Sequence, residues 1–192
     1  MRLVTSRLLR LVVGVLWLAG FCGSARGQER VLTEPVQYEL AAGFLYNFAV
    51  LTKWPATGFP RRDLPVTVGV VGRNPFGASL ARALAVRQVG GRGFAIEYFA
   101  DETEIRACHV LFVTREVNQQ AALDAVRGKP VLTVGVAEDF LKLGGMIRLF
   151  ADEIGRVRFA VRREAAEQAE LELSSRLLRL AAGNDAPRAE GR

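Results

Sequence analysis

Beyond residue 27 this chain holds one cysteine, Cys108, and the whole chain holds one histidine, His109. That scarcity closes several routes to chemistry. A single thiol cannot build an internal disulfide framework, so Cys108 stays unpaired within the mature chain: a buried thiol or one half of an intermolecular bridge. Neighbours on a strand point to opposite faces, so Cys108 and His109 do not form a nucleophile–base pair with each other. With no further imidazole or thiol, a zinc cage of ordinary ligands is excluded. The G-x-S-x-G elbow of a serine hydrolase is missing too. Cys108 is expected to act as a small buried hydrophobe and His109 as a satisfied structural residue. No catalytic residue, metal or cofactor is expected.

Acidic residues are missing from the first 27 positions, which carry Arg2, Arg7, Arg10 and Arg26. Leu11–Cys22, LVVGVLWLAGFC, follows as an apolar core, and Ala25-Arg26-Gly27 puts small residues around a cleavage point before Gln28. The stretch reads as a secretory signal peptide, 1–27, that directs the chain to export. The lesser alternative is an uncleaved anchor, for which a core of about 15 apolar residues is short of the roughly 20 a span needs. After residue 27 no segment is long and apolar enough to span a bilayer.

Setting aside those four arginines leaves 22 basic residues against 20 acidic ones, so the formal charge of +6 shrinks to +2. The basic character therefore lends no support to a nucleic-acid partner. Half the residues are hydrophobic, which marks a globular domain, expected over 28–183 with a flexible tail at 184–192.

Short apolar runs alternate with amphipathic stretches. Pro65–Val71, Phe94–Phe99, Cys108–Thr114 and Lys129–Val136 read as strands, the first of them buried on both faces. Ala78–Val86 and Glu116–Arg127 read as the helices between them, with Leu80, Ala83 and Leu84 inward in the first. Ala137–Leu143 reads as a short helix. Met146–Phe150 and Val157–Val161 then form a hairpin turning at Gly155. Glu164–Ala169 is a further helix, Leu171–Leu173 is extended, and Ser174 or Ser175 caps a last helix, Arg176–Ala182, stopped by Gly183. The expected class is α/β: a three-layer α/β/α sandwich with a mixed, mostly parallel central sheet.

The first helix is expected to start behind a Thr33 cap, with Pro35 in its first turn, and to run to about Lys53 before Pro55. At 100° per residue Leu40, Ala41, Phe44, Leu45, Phe48 and Leu51 share one face, which must be buried. Tyr46 and Val50 fall on the far side, where an aromatic and an aliphatic need a cover. With Asn47 they are candidate contacts for a partner protein. The basic edge of the hairpin and the helix after it, Arg156, Arg158, Arg162 and Arg163, offers a second docking face, with Arg158 and Arg162 as its candidate contacts.

Gly72–Gly77 followed by Ala78-Ser79 has the glycine spacing of a phosphate loop. It lacks the lysine where Ala78 stands, and Pro75 removes an amide from the cradle. A tight turn is expected instead. Because it lies beyond a strand's carboxyl end, where open α/β sheets bind ligands, Asn74 and Phe76 are candidates to line a small-ligand pocket. Gly144-Gly145 is expected to set a tight turn before a strand.

The blocks LAAGFLYNFAVLTKWP, VGVVGRNPFG, VGGRGFAI, CHVLFVT, VLTVGVAEDFLKLGGMIRLF, VRFAV and LSSRLLRLA stand in the order and spacing of the YfiR family. The chain resembles that family over nearly its whole mature length, most specifically in FLYNF…WP and GGMI…LLRLA. The resemblance implies an exported, non-enzymatic α/β/α protein. It would bind and repress the periplasmic domain of an inner-membrane diguanylate cyclase, controlling cyclic di-GMP and biofilm formation. The alternative is a periplasmic small-ligand binding module that feeds a membrane sensor such as a histidine kinase. A homodimer is also among the expected assemblies. Family members often carry additional cysteines in internal disulfides, which Cys108 alone does not reproduce.

Overall fold

The computed structural model describes residues 29–181, apart from Pro60 and Arg62. The expected leader and the tail at 184–192 lie outside the described residues, as does the Gly183 stop. Fourteen residues of apolar strand sequence, β2 (Val66–Val71), β4 (Val110–Val113) and β5 (Leu132–Gly135) with Phe112 at their middle, are almost wholly buried. They are the centre of a six-stranded sheet ordered β3-β2-β4-β5-β6-β7, with β3 (Phe94–Phe99), β6 (Ile147–Ala151) and β7 (Val157–Val161) filling the remaining places.

Every pairing in that sheet is parallel except β6 with β7, the antiparallel hairpin. Register aligns like with like: Val70 sits beside Phe112, Phe112 beside Val134, and Val134 beside Ile147. Successive strand residues point to opposite faces, so the sheet has two apolar sides. Val66, Val68, Val70, Phe112, Val134 and Leu149 belong to one core, covered by α1 (Pro35–Val50), α2 (Ser79–Leu84), α4 (Arg163–Gln168) and α5 (Ser175–Leu180). Val71, Phe99, Leu111 and Val113 belong to the other, covered by α3 (Gln119–Ala125) and the turns around Phe140. The result is the three-layer α/β/α sandwich with a mostly parallel sheet.

α1 departs from its expected limits at both ends. Glu34, not Thr33, is the N-cap: Gln37 Oε1 accepts from the amides of Thr33 (2.9 Å) and Glu34 (3.2 Å). At the other end the helix stops at Val50, because Thr52–Lys53 (β1) is recruited by Glu172–Leu173 (β8) as a two-stranded antiparallel ladder. The Thr52 hydroxyl also donates to the Phe48 carbonyl at 2.7 Å.

The buried line of α1 is Ala41, Ala42, Leu45, Phe48 and Ala49, with Gln37 at its start. That face is rotated by roughly 70° from the expected one, at 100° per residue. Leu40 is consequently exposed, and Phe44 and Leu51 are half-buried. The alanines explain the rotation: small side chains let the helix settle on the sheet. Phe48 then meets Phe159 at 4.9 Å between ring centroids. Burying a side chain such as Leu45 or Phe48 contributes about 1.5–3 kcal/mol.

Two turns are also corrected. Ala137–Leu143 is a run of hydrogen-bonded turns and not a helix. Gly144 has φ 109° and does set the turn before β6, but Gly145 serves packing. The Phe140 ring, fully buried, lies against the backbones of both Gly135 and Gly145, and a Cβ on Gly135 would come within 2.5 Å of it.

Candidate functional site

On α1, the three contact candidates separate. Asn47 and Val50 are exposed, Val50 at 44 %. Tyr46 is not left outward and uncovered: its ring packs edge-on to Phe94 of β3 at 5.9 Å, and the Arg87 guanidinium lies 4.4 Å from its centre. Beside Asn47 and Val50 runs a shallow groove of about 160 Å³ between α1 and α5, also lined by Phe44, Leu51, Arg176 and Leu180. Leu180 is exposed there, as are Val36 and Leu40 further along α1.

The hairpin lies elsewhere. On β7 the side chains of Val157 and Phe159 enter the core beneath α1, so Arg158 projects from the opposite face of the sheet. Arg158 is exposed and makes no ion pair among the described residues. Its neighbours are internally satisfied: Arg162 Nη1 donates to the Leu141 carbonyl at 2.9 Å, Arg156 pairs with Asp152 at 2.8 Å, and Arg163 with Glu167 at 2.6 Å. Arg148 on β6 shares this side of the sheet. It is nearly buried, stacks over Phe150 and pairs with Glu29. Burial draws its guanidinium below the ordinary arginine range. The α1 candidates and the hairpin arginines therefore mark two surfaces, not one.

Asn74 spends its amide inside its own turn: Oδ1 accepts from the Phe76 amide (2.9 Å) and Nδ2 donates to the Gly77 carbonyl (3.1 Å). Phe76 is buried against Phe112 at 4.7 Å and Tyr38 at 5.8 Å, which ties this turn to α1. Neither residue lines the groove between α1 and α5 or the cavity beside His109.

Cys108 and His109 do lie on opposite sides of their strand. Cys108 joins the α3-side core, where burial, with the charge of Glu97 adding to it, pushes its thiol up to about 12. His109 faces the other way. Nδ1 accepts from the Thr67 amide at 3.0 Å, so Nε2 carries the proton it shares with the Gly58 carbonyl at 3.0 Å. Phe59 stacks on its ring at 4.2 Å, with Trp54 edge-on at 6.5 Å. Burial draws its pKa below the ordinary imidazole value, and the positive charge of Arg92 acts in the same direction. The imidazole is thus a clasp that holds Gly58 and Phe59 to the amino ends of β2 and β4. A cavity of about 410 Å³ adjoins it, lined by Leu64, Pro65, Cys108, His109 and Pro130 among others. No motif announces this arrangement, since its partners are backbone groups brought in from distant positions.

A second feature was legible but obscured by the expected burial face. Val36, Leu40, Gly43, Asn47 and Val50 are spaced four, three, four and three residues apart, so they form one line along α1 directly opposite Ala41 and Leu45. Val36 is 60 % exposed and Leu40 55 %.

The described residues thus form a mixed α/β/α sandwich with an exposed apolar line along α1. The chain belongs to the YfiR/HmsC-like family, whose profile matches residues 38–182. That is a regulatory, non-catalytic family of periplasmic proteins that control diguanylate cyclases, and it implies interaction with a membrane signalling protein. No helix among the described residues is long and apolar enough to cross a membrane. No curated protein matches the sequence. Among solved structures, the chain is similar to a conserved domain protein from Vibrio cholerae O1 biovar eltor, at 14 % identity and a TM-score of 0.50. The similarity covers 76 % of this chain and 59 % of that one, so it spans less than two thirds of the neighbour and bears on the fold alone.

Proposed function

We propose that this chain is an exported, non-enzymatic periplasmic regulator. It binds the periplasmic domain of an inner-membrane signalling protein, a diguanylate cyclase, and holds it inactive, so that cyclic di-GMP and biofilm formation rise when it lets go. Family membership supports the pathway. The structural observation that carries the mode of action is the pair of unsatisfied surfaces: the apolar line of α1 around Asn47 and Val50, flanked by Tyr46, and the hairpin face from which Arg158 projects beside the anchored Arg162. Exposed apolar area on a helix and an unpaired arginine beside a sheet edge are features of protein contact.

Deleting the gene in its host and measuring cyclic di-GMP tests the reading. The expected result is a rise on deletion, reversed by the wild-type gene. Unchanged cyclic di-GMP on deletion overturns it. Restoration with Arg158→Glu and, separately, with Val50→Asp sorts the two surfaces: the variant that fails to lower cyclic di-GMP marks the one that matters for repression. If both restore fully, the contact lies on neither.

A further inference from the structure

The small net charge after residue 27 conceals a separation of charge. In the six-stranded sheet every strand but β7 runs the same way, so each connection enters or leaves at one of two ends. Residues leading into the parallel strands are basic. Segment 51–65, before β2, brings Lys53 and Arg61 against Asp63, and 85–93, before β3, brings Arg87 and Arg92. Segment 126–131, before β5, brings Arg127 and Lys129, and 142–146, before β6, brings Lys142. Residues leaving the strands are acidic: 72–78, 100–104, 114–118, 136–139 and 152–156 together hold eight carboxylates and three arginines. The sandwich is therefore positive at the amino ends of its parallel strands and negative at the opposite pole.

The basic connections meet in space. Arg92 Nη1 donates to the carbonyls of Arg61 (2.9 Å) and Leu64 (2.8 Å), which joins the first two. Leu64 and Pro65 share the cavity beside His109 with Lys129. Gly144 shares a second cavity, of about 310 Å³, with Gly128 and Lys129.

Helix ends do not account for these charges. A cation favours a helix C-terminus only within its last turn, and the last turns of α1 and α3 hold no basic residue. Of the set, Lys129 does reach back, donating to the Ala125 carbonyl at 2.8 Å. Ion pairs absorb only part of the charge. Glu172, Asp63 and Asp124 offset Lys53, Arg61 and Arg127. Arg87, Arg92, Lys129 and Lys142 make no ion pair among the described residues. Beside Arg87 stands Val86, 90 % exposed. Its connection is stiffened by the Val89–Arg92 bridge, which turns through Gly90 and Gly91 at φ 56° and 79°.

Five strands about 4.8 Å apart make this pole about 19 Å wide. Cations spread over that width on separate connections, with an apolar tip among them, fit a surface whose negative charge is itself spread out. An anionic bilayer presents such a surface. We propose that the amino-end pole of the sheet docks on anionic phospholipid headgroups, with Arg87, Arg92, Lys129 and Lys142 toward the phosphates and Val86 at the interface. α1 and Arg158 lie on the two flat faces of the sandwich, so both stay open to a membrane protein alongside. The proposal deepens the regulatory reading by setting the chain on the bilayer that holds its partner, and it rests on that reading only for which bilayer this is.

Co-sedimentation of the purified exported protein with vesicles, no partner present, tests it. The expected result is binding to phosphatidylcholine vesicles containing about 30 % phosphatidylglycerol and none to phosphatidylcholine alone, with loss as salt rises from about 0.05 M to about 0.5 M. Lys129→Glu with Lys142→Glu weakens binding at least about tenfold, and Val86→Asp weakens it on its own. Glu138→Lys with Asp139→Lys, at the opposite pole, leaves it unchanged. Lys142 and Val86 are exposed, so their single variants keep the test open if the double one misfolds. Failure to bind anionic vesicles overturns the proposal, as does equal binding to neutral ones or indifference to the lysine reversals. Release by about 10 mM inorganic phosphate at constant ionic strength would mean an isolated phosphate site and overturn it too. Binding to poly-glutamate without binding to vesicles would assign the pole to an acidic protein instead. Unchanged cyclic di-GMP on gene deletion would leave the vesicle result standing, and a chain that ignores vesicles could still lower cyclic di-GMP, so the two readings fail separately.

Discussion

Acidification should loosen this protein through one residue. His109 is the single histidine, so between about pH 7 and pH 5 it is the side chain whose ordinary pKa falls in the window. Its folded pKa lies below the unfolded value of about 6.5, chiefly because of burial. The folded state therefore binds fewer protons than the unfolded state in that range. The stability contributed by neutral His109 is complete above the unfolded pKa. It is lost as pH falls from about 6.5 toward the folded value, at no more than about 1.4 kcal/mol per pH unit.

The size of the loss follows from the bonds. Protonating Nδ1 removes the acceptor of the Thr67 amide while leaving the Nε2 bond to Gly58 in place. A buried amide stripped of its acceptor costs about 1–3 kcal/mol, and access of solvent to part of the ring brings that toward about 1 kcal/mol. With a urea dependence of about 2 kcal/mol per molar, the unfolding midpoint should drop by roughly 0.5 M. A His109→Gln variant should start lower and show no such dependence. Trp54 offers a direct reporter. It is the one tryptophan after residue 27 and sits 6.5 Å from the imidazole, so its fluorescence should follow the folded-state titration. A flat wild-type midpoint over this window, or an equal slope in His109→Gln, would refute the reasoning.

Three other outcomes are expected. Gly145→Ala should cost about 1–3 kcal/mol in urea unfolding by driving a methyl into the Phe140 ring, and Phe140→Leu in the same chain should recover part of it; additive losses would contradict the packing. Native Cys108 should resist a thiol reagent at about pH 8, because its thiol is held near 12, and should react quickly once urea unfolds the chain; equal rates would show that the thiol is accessible. Glu29→Ala should cost about 1–2 kcal/mol by leaving the nearly buried Arg148 uncompensated, whereas Arg148→Met, which keeps volume and removes the charge, should cost less; the reverse order in thermal unfolding would mean the pair itself supplies the stability.

Much of this architecture is written locally. β-branched runs such as VTVGVV and VLFV have no polar side to offer, so they specify strands buried on both faces, and the helices between them make those strands parallel. The hairpin at Gly155 and the Ser174 cap are equally local, since each depends on a few adjacent residues. One histidine and one late cysteine, adjacent on a strand, likewise exclude a Cys–His pair from sequence alone.

What periodicity left open was the rotation of α1. The helix is apolar on more than one side, so its pattern is consistent with several burial faces. Only the flanking α2 and α5 and the fit of Ala41, Ala42 and Ala49 to the sheet select one. That choice buried part of Tyr46, exposed Leu40, and turned Val36, Gly43 and Val50 into a continuous outer line. The Thr52–Leu173 ladder, the two-glycine seat of Phe140 and the His109 clasp were equally beyond local reading. Each joins groups far apart in the chain, at least one of them backbone, and backbone carries no sequence signature until the fold brings it into contact. The sequence by itself determined the layers and their order; tertiary packing decided which sides of those layers face outward.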